Sequence, residues 1–197
     1  MASMKQSRVA DDVIRAAVEL FAERGYGNTS VQDIVEAAGV TKGAMYHYFE
    51  SKDDLLFGIY DAMLSIQKTR LDSIVARGGE TDDVLRAVCV DVLETTIEYL
   101  AEGTVFFRSM DMLSAPRRAE VVRRRREYND EFAELVRRGQ REGSYRDDIP
   151  LAVLIAHFFS DAHYLSYWYS EGKPEDRTLV AEQITDLFMA SLRRLHD

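Results

Sequence analysis

A single cysteine, Cys89, occurs in 197 residues, so neither an intrachain disulfide nor a cysteine-rich zinc site is available. Cys89 lies in an apolar helical stretch, where a thiol packs as a small hydrophobe; a redox sensor needs exposure and basic neighbours. Long uncharged runs are missing too. No 18-residue segment is free of Asp, Glu, Lys and Arg, which argues against a spanning helix, and the opening MASMKQSRVADD has no apolar stretch fit for a signal peptide. The expected location is the cytoplasm, with no membrane partner. Catalytic signatures are absent as well: there is no G-x-S-x-G elbow, no H-E-x-x-H pair and no phosphate-cradling glycine loop. His157 and His163, six residues apart, point about 240° away from each other on a helix and do not chelate one metal from a single face. No enzyme activity, metal or cofactor is therefore expected. Period-2 alternation long enough for a strand is missing, and so is an internal repeat, which leaves an all-α layout of about nine helices.

Hydrophobic residues make up 46% of the chain, enough for a core, and their most informative arrangement falls within residues 29–52. Thr29 or Ser30 caps a helix there, and Asp33 follows Ser30 by three, where a carboxylate favours the free amides of a helix start. Val31, Ile34, Val35 and Ala38 recur at helical spacing until Gly39, a residue suited to a left-handed stop. Val40 returns to the core. Thr41 caps a second helix whose start, Lys42, Gly43 and Ala44, is small, basic and closely approachable. Met45 and Phe49, four apart, face inward, leaving Tyr46, His47 and Tyr48 as hydrogen-bonding aromatics on the remaining surface. Two short helices joined by a tight turn and locked to a third are the arrangement that offers a helix to the DNA major groove.

The run TSVQDIVEAAGVTKGAMYHYFESKDDL resembles the N-terminal helix-turn-helix of TetR-family transcriptional regulators. The preceding helix, with Val13, Ala17, Leu20 and Phe21 before Gly25-Tyr26-Gly27, fits the same pattern, so the similarity covers residues 8–60. Beyond that, only the layout matches. The resemblance implies a DNA-binding domain over residues 1–52 and a helical effector-binding and dimerisation domain over residues 53–197. It also implies a homodimeric regulator, most simply a repressor, that a small molecule releases from double-stranded operator DNA. On the residues and the resemblance together, Thr29, Ser30, Thr41, Lys42, Gly43, Ala44, Tyr46, His47, Tyr48 and Lys52 are the expected DNA-binding set.

Positive charge is in deficit at a net charge of −9, which by itself opposes phosphate binding. The deficit is uneven. Residues 1–52 hold six Lys or Arg against seven Asp or Glu, and the rest of the chain holds nineteen against twenty-seven. The local field near the reading helix decides, and Lys52 is placed there as a phosphate clamp. Lys5 and Arg8 either form a flexible arm along the DNA backbone or are plain solvated surface.

After Ser51, which with Asp54 gives a variant capping box, long helices alternate with recognisable stops. Leu55, Ile59, Met63 and Ile66 mark one that ends before Gly78-Gly79. Others are expected over residues 84–100, 104–113 (ending before Pro116) and 117–141, closed by Gly143; from Pro150 to Gly172 and Pro174; and over residues 175–195. The segment LAVLIAHFFSDAHYLSYWY is apolar or aromatic on nearly every face and has to be covered all round. Its second cover is most simply another copy of itself, with Leu179, Ile184, Leu187, Phe188 and Leu195. The result is a four-helix dimer seam that agrees with TetR-like dimerisation. Two reading helices about 34 Å apart then enter successive major grooves.

For the effector, Tyr99, Phe106, Phe107, Met110, Met112, Tyr128, Phe132, Tyr164 and Trp168 are the candidate cavity residues, since Met and aromatics suit irregular apolar ligands. Plain core packing is the competing role for each. Arg117, Arg118 and the run Arg123 to Arg126 are interspersed with Glu120, Glu127, Asp130, Glu131 and Glu134, and read either as a solvated salt-bridged face or as a phosphate clamp. TetR-like regulators of fatty-acid and sterol breakdown, which bind acyl-CoA thioesters, resemble this body, including the stretch Glu142-Gly-Ser-Tyr-Arg-Asp-Asp-Ile149. A fatty acyl or sterol-derived CoA thioester is the effector this implies. A hydrophobic-drug sensor controlling efflux or detoxification, and a helical partner-binding scaffold, are the alternatives.

Overall fold

The computed structural model describes residues 2–169 and 175–193; of residues 2–7, 166, 175 and 176 only the backbone course is described. Among the described residues there are nine α-helices, one short 3-10 turn and no strand. They run α1 (Ala2–Arg24), α2 (Val31–Ala37), α3 (Lys42–Tyr46), α4 (Lys52–Arg77), α5 (Thr81–Glu98), α6 (Leu100–Arg108), the turn Met110–Met112, α7 (Ala115–Arg141), α8 (Leu151–Trp168) and α9 (Glu175–Leu192).

Several boundaries depart from expectation for local reasons. The backbone is helical from Ala2 and Arg8 is exposed on it, so of the two readings, flexible arm or solvated surface, Arg8 fits the second; the Lys5 side chain lies outside the described residues. The break expected between residues 100 and 104 falls at Tyr99, whose φ of −118° and ψ of 46° separate α5 from α6. Gly103 is buried inside α6 rather than ending anything. Pro116 sits in the first turn of α7, where a missing N–H deprives no intrahelical acceptor. Gly172, Pro174 and Leu195 lie outside the described residues.

Internal packing divides the chain into two units, Met1–Leu64 with Ala101–Val122 and Ser65–Leu100 with Arg123–Asp197. Residue 52, the expected functional boundary, is thus not where the packing divides. In the first unit, Val13, Ala17, Leu20 and Phe21 of α1 are buried together with Ile34 and Val35 of α2 and Met45 of α3. Leu55, Leu56, Ile59, Tyr60, Met63 and Leu64 make the first half of α4 equally buried. The fully buried Tyr60 hydroxyl donates to the Phe106 carbonyl at 2.6 Å, which satisfies an acceptor in the last turn of α6.

In the second unit α5 is central, packing on both α8 and α9. Val84, Leu85, Val88, Cys89, Val92, Leu93 and Ile97 cover most of its circumference. Burial pushes the Cys89 thiol well above its ordinary pKa, which makes it unreactive. α8 is only half covered. Leu154, Phe158, Ala162 and Leu165 face the core, whereas Val153, Tyr164, Tyr167 and Trp168 are exposed, Tyr164 and Tyr167 at 62% each. Phe188, expected in the dimer seam, instead packs within its own chain at 1% exposure, 4.8 Å from the Phe158 ring, and Ile184 is half-buried. Leu179 and Leu187 do stand out, Leu187 at 70%.

Candidate nucleic-acid interface

Ser30 caps α2 with a complete capping box. Its hydroxyl accepts from the Asp33 N–H at 3.1 Å, and the Asp33 carboxylate accepts from the Ser30 N–H at 2.7 Å. These contacts, the side-chain bond from the Ser30 hydroxyl first, hold the Asp33 carboxyl below its usual range. Gly39, at φ +66°, turns the chain so that the Val40 N–H reaches the Val35 carbonyl at 3.0 Å. Thr41 then caps α3 through the Ala44 N–H at 3.1 Å. α3 is only five residues long; the chain continues through turns that bond His47 to Gly43 and Phe49 to Met45.

This short helix has one buried anchor, Met45, and Phe49 packs at its end with a ring atom against Gly58 of α4. Thr41, Lys42, Gly43, Tyr46 and His47 are all exposed, Tyr46 at 50%, with Ala44 and Tyr48 half-buried and the His47 and Tyr48 rings edge to face at 5.0 Å. Such a surface offers one ammonium, two phenols and an imidazole. Phosphate contacts and base-edge contacts both need these groups. Ser30 is exposed beside it.

Two expected members of the set sit elsewhere. Thr29 is 1% exposed, and its hydroxyl donates to the carbonyls of Gly25 at 3.0 Å and Leu20 at 3.3 Å, tying the end of α1 to the start of α2. The Lys52 ammonium donates to the carbonyls of Tyr26 and Thr29, both at 2.9 Å, and lies 4.1 Å from the Tyr26 ring centroid. Burial lowers its pKa. Nothing within residues 29–52 announces these partners, because both acceptors are backbone carbonyls more than twenty residues from Lys52.

The effector candidates divide between the two units. In the first, Phe106 is buried with its ring 4.7 Å from Tyr60 and 5.4 Å from Phe107, while Met112 is exposed. In the second, Tyr128 and Phe132 are buried and both approach Phe159, at 6.2 and 5.1 Å, with His163 6.4 Å beyond it. Tyr99 is half-buried; Tyr164 and Trp168 are exposed, on the outer side of α8. The sequence does not single out Phe159, because a helix apolar on nearly every face gives no sign of which side is enclosed. Burial, and then the charge of Arg125, press the His163 imidazole down to a pKa of about 4. The arginine run is dispersed among separate partners. Arg117 pairs with Asp53 and Asp54, Arg118 with Asp111, Arg123 with Glu127, and Arg124 donates to the Ser65 hydroxyl. No described helix is long and apolar enough to cross a membrane.

A capped short helix carried on α1 and α2, followed by a helical body, defines a helix-turn-helix regulator. The family model "Bacterial regulatory proteins, tetR family" matches residues 13–59, and "Tetracyclin repressor-like, C-terminal domain" matches residues 78–192. The chain belongs to the TetR family of bacterial transcriptional regulators. It is 28% identical over 190 residues to the HTH-type transcriptional repressor KstR2 of Rhodococcus jostii (strain RHA1), covering 94% of this chain and 92% of that protein. The structure of the ketosteroid transcriptional regulator KstR2 of Mycobacterium tuberculosis superposes with a TM-score of 0.86 at 22% identity, over 94% of this chain and 95% of that one. AibR in complex with isovaleryl coenzyme A and operator DNA gives a TM-score of 0.78 at 24% identity, over 94% and 98% of the two chains. The family and these relatives are regulators, not enzymes.

Proposed function

We propose that this chain is a homodimeric repressor released from its operator by a coenzyme A thioester of a fatty acyl or sterol-derived acid. The full-length similarity to repressors of the KstR2 type carries this reading, because it spans head and body alike. In this division of labour residues 1–52 read DNA, with Ser30, Thr41, Lys42, Gly43, Ala44, Tyr46, His47 and Tyr48 at the duplex. Residues 53–197 dimerise and bind the effector. Val153, Tyr164, Tyr167 and Trp168 of α8, with Leu179 and Leu187 of α9, supply the exposed apolar seam for a second copy. Two heads then meet successive major grooves, so an effector that changes their spacing weakens binding by a coupling of about 1 to 3 kcal/mol. On the effector side, Tyr128 and Phe132 with Phe159 and His163 form the aromatic group that suits an apolar acid next to a polar end. Selecting bound duplexes from fragments of the source genome and titrating them with a chain-length series of CoA esters tests it. Release by a subset of esters, with a raised melting temperature, is the expected result; melting and operator binding unmoved by the whole series removes the thioester.

A further inference from the structure

Between the second half of α4 and α5, inside the second unit, lies an open cleft of about 470 Å³, within the size range of small-molecule sites. None of the aromatic group of Tyr128, Phe132, Phe159 and His163 lines it. Half-buried Ile74 and Val90, with exposed Ala87, give it an apolar floor. On the α5 side the floor is bracketed by Asp83 at one end and by Asp91 and Glu94 at the other, all within reach because spacings of three, four, seven and eight recur on one helical face. Asp83 and Asp91 are about 12 Å apart along the axis.

Charge in the cleft does not balance. Arg70, Arg77 and Arg86 line it too, but Arg70 is divided between Asp91 at 3.6 Å, Glu98 at 3.2 Å and the Thr95 hydroxyl at 2.7 Å, and Arg86 is drawn to Asp186 of α9 at 2.5 Å. With Glu98 and Asp186 included, five carboxylates answer three guanidiniums. Glu94 accepts from a neutral partner, the Thr178 hydroxyl, at 2.7 Å, and Asp83 forms no ion pair among the described residues. Burial raises the Asp91 carboxyl above its usual range against the pull of Arg70, so a second positive group beside it would favour its charged form.

We propose that this cleft is a second ligand site and that it takes an aliphatic polyamine, with ammonium groups at Asp83, Asp91 and Glu94 and methylenes on Ile74, Ala87 and Val90. Negative charge at both ends of an apolar strip suits a chain with cations at its ends and CH2 groups between. A compact metal ion needs its oxygens gathered around one point, and among the described residues no three His, Cys, Asp or Glu converge in that way. Arg77 also lines the cleft, forms no ion pair among the described residues, and opposes a cation there. The site is independent of the thioester reading.

The test titrates the full chain with spermidine by calorimetry at low salt, without DNA, whose phosphates would compete for the polyamine. One saturable site per chain is expected. Its affinity should fall roughly threefold or more in Asp83→Asn, Asp91→Asn and Glu94→Gln, as for loss of one partly exposed ion pair, and rise by a similar factor in Arg77→Gln. Glu134→Gln should leave it unchanged, since that carboxylate pairs with Arg137 and Arg141 on α7. Butylammonium, with a single charge, should bind at least tenfold more weakly. Should Asp91→Asn fail to fold, the exposed Asp83→Asn and Arg77→Gln, opposite in sign, carry the test. No saturable binding, equal affinity in wild type, Asp83→Asn and Arg77→Gln, or an equal loss in Glu134→Gln, which marks diffuse attraction to an acidic protein, overturns the proposal. Displacement of spermidine by magnesium at equal concentration overturns it too.

Discussion

Gly139 of α7 is in direct contact with a fully buried aromatic ring, and Gly139→Ala should be destabilising although alanine is the better helix former. A Cβ there would stand 2.2, 2.3 and 2.8 Å from three ring carbons of Tyr145, where carbon atoms prefer about 3.5–4.0 Å. The ring would have to retreat by roughly 1 Å or more. Its freedom to do so is small: the hydroxyl donates to Asp82 at 2.9 Å, the Tyr145 N–H donates to the Gly139 carbonyl at 3.2 Å, and the neighbouring Arg146 N–H donates to the Leu192 carbonyl at 2.7 Å. Displacing a buried aromatic costs up to about 3–5 kcal/mol when its packing is lost outright, and overpacking that the site absorbs costs about 1–3 kcal/mol. The gain in helix propensity returns up to about 1 kcal/mol. The net expectation is a loss of about 2 kcal/mol, a drop of roughly 4–8 °C in melting temperature for a chain of this size. Thermal and urea unfolding of the variant measure it. Gly139→Ala added to Tyr145→Ala should cost nothing further, since the ring it collides with is gone. An unchanged or raised melting temperature for Gly139→Ala alone would refute the reasoning.

Three further outcomes follow from single contacts. Ser30→Ala removes the hydroxyl half of the capping box and should lower stability by about 1 kcal/mol, while Ser30→Asp should keep most of it; the melting temperatures of both decide. His163 is neutral in the folded chain down to a pKa of about 4, below its ordinary value near 6.5. The stability tied to its neutral form is therefore complete above pH 6.5 and is lost as pH falls towards 4. Wild type should lose stability faster than His163→Gln across that window, and parallel melting profiles would refute the assignment. Leu187→Glu places a charge at a side chain 70% exposed in the single chain; sedimentation should show a 22.5 kDa monomer for the variant and a dimer for wild type, and a persisting dimer would move the seam elsewhere.

The stretch Glu142–Ile149 shows how a motif can be legible while its role is not. In the sequence it resembled a feature of acyl-CoA-responsive regulators. In the fold, Gly143 at φ +78° ends α7, and Tyr145 folds back over Gly139 to reach Asp82 at the start of α5. Its visible work is to clasp two helices. The arginine run is alike in this, since Arg117, Arg118, Arg123 and Arg124 find carboxylates and a hydroxyl from several segments.

The sequence by itself determined the helices, their caps and the identity of the reading element, because those signals act within three or four residues: Ser30 with Asp33, Thr41 with Ala44, Gly39 after Ala38. It also determined the family, since the motif is long and specific. Only the tertiary structure decided where a side chain spends its hydrogen bonds. Thr29 turned inward to two carbonyls, Lys52 reached back more than twenty residues, and Phe188 joined its own core while Leu187 beside it stayed exposed. Polar and apolar groups alike are satisfied by whatever surface the packed chain brings near, and that surface is assembled from segments far apart in sequence.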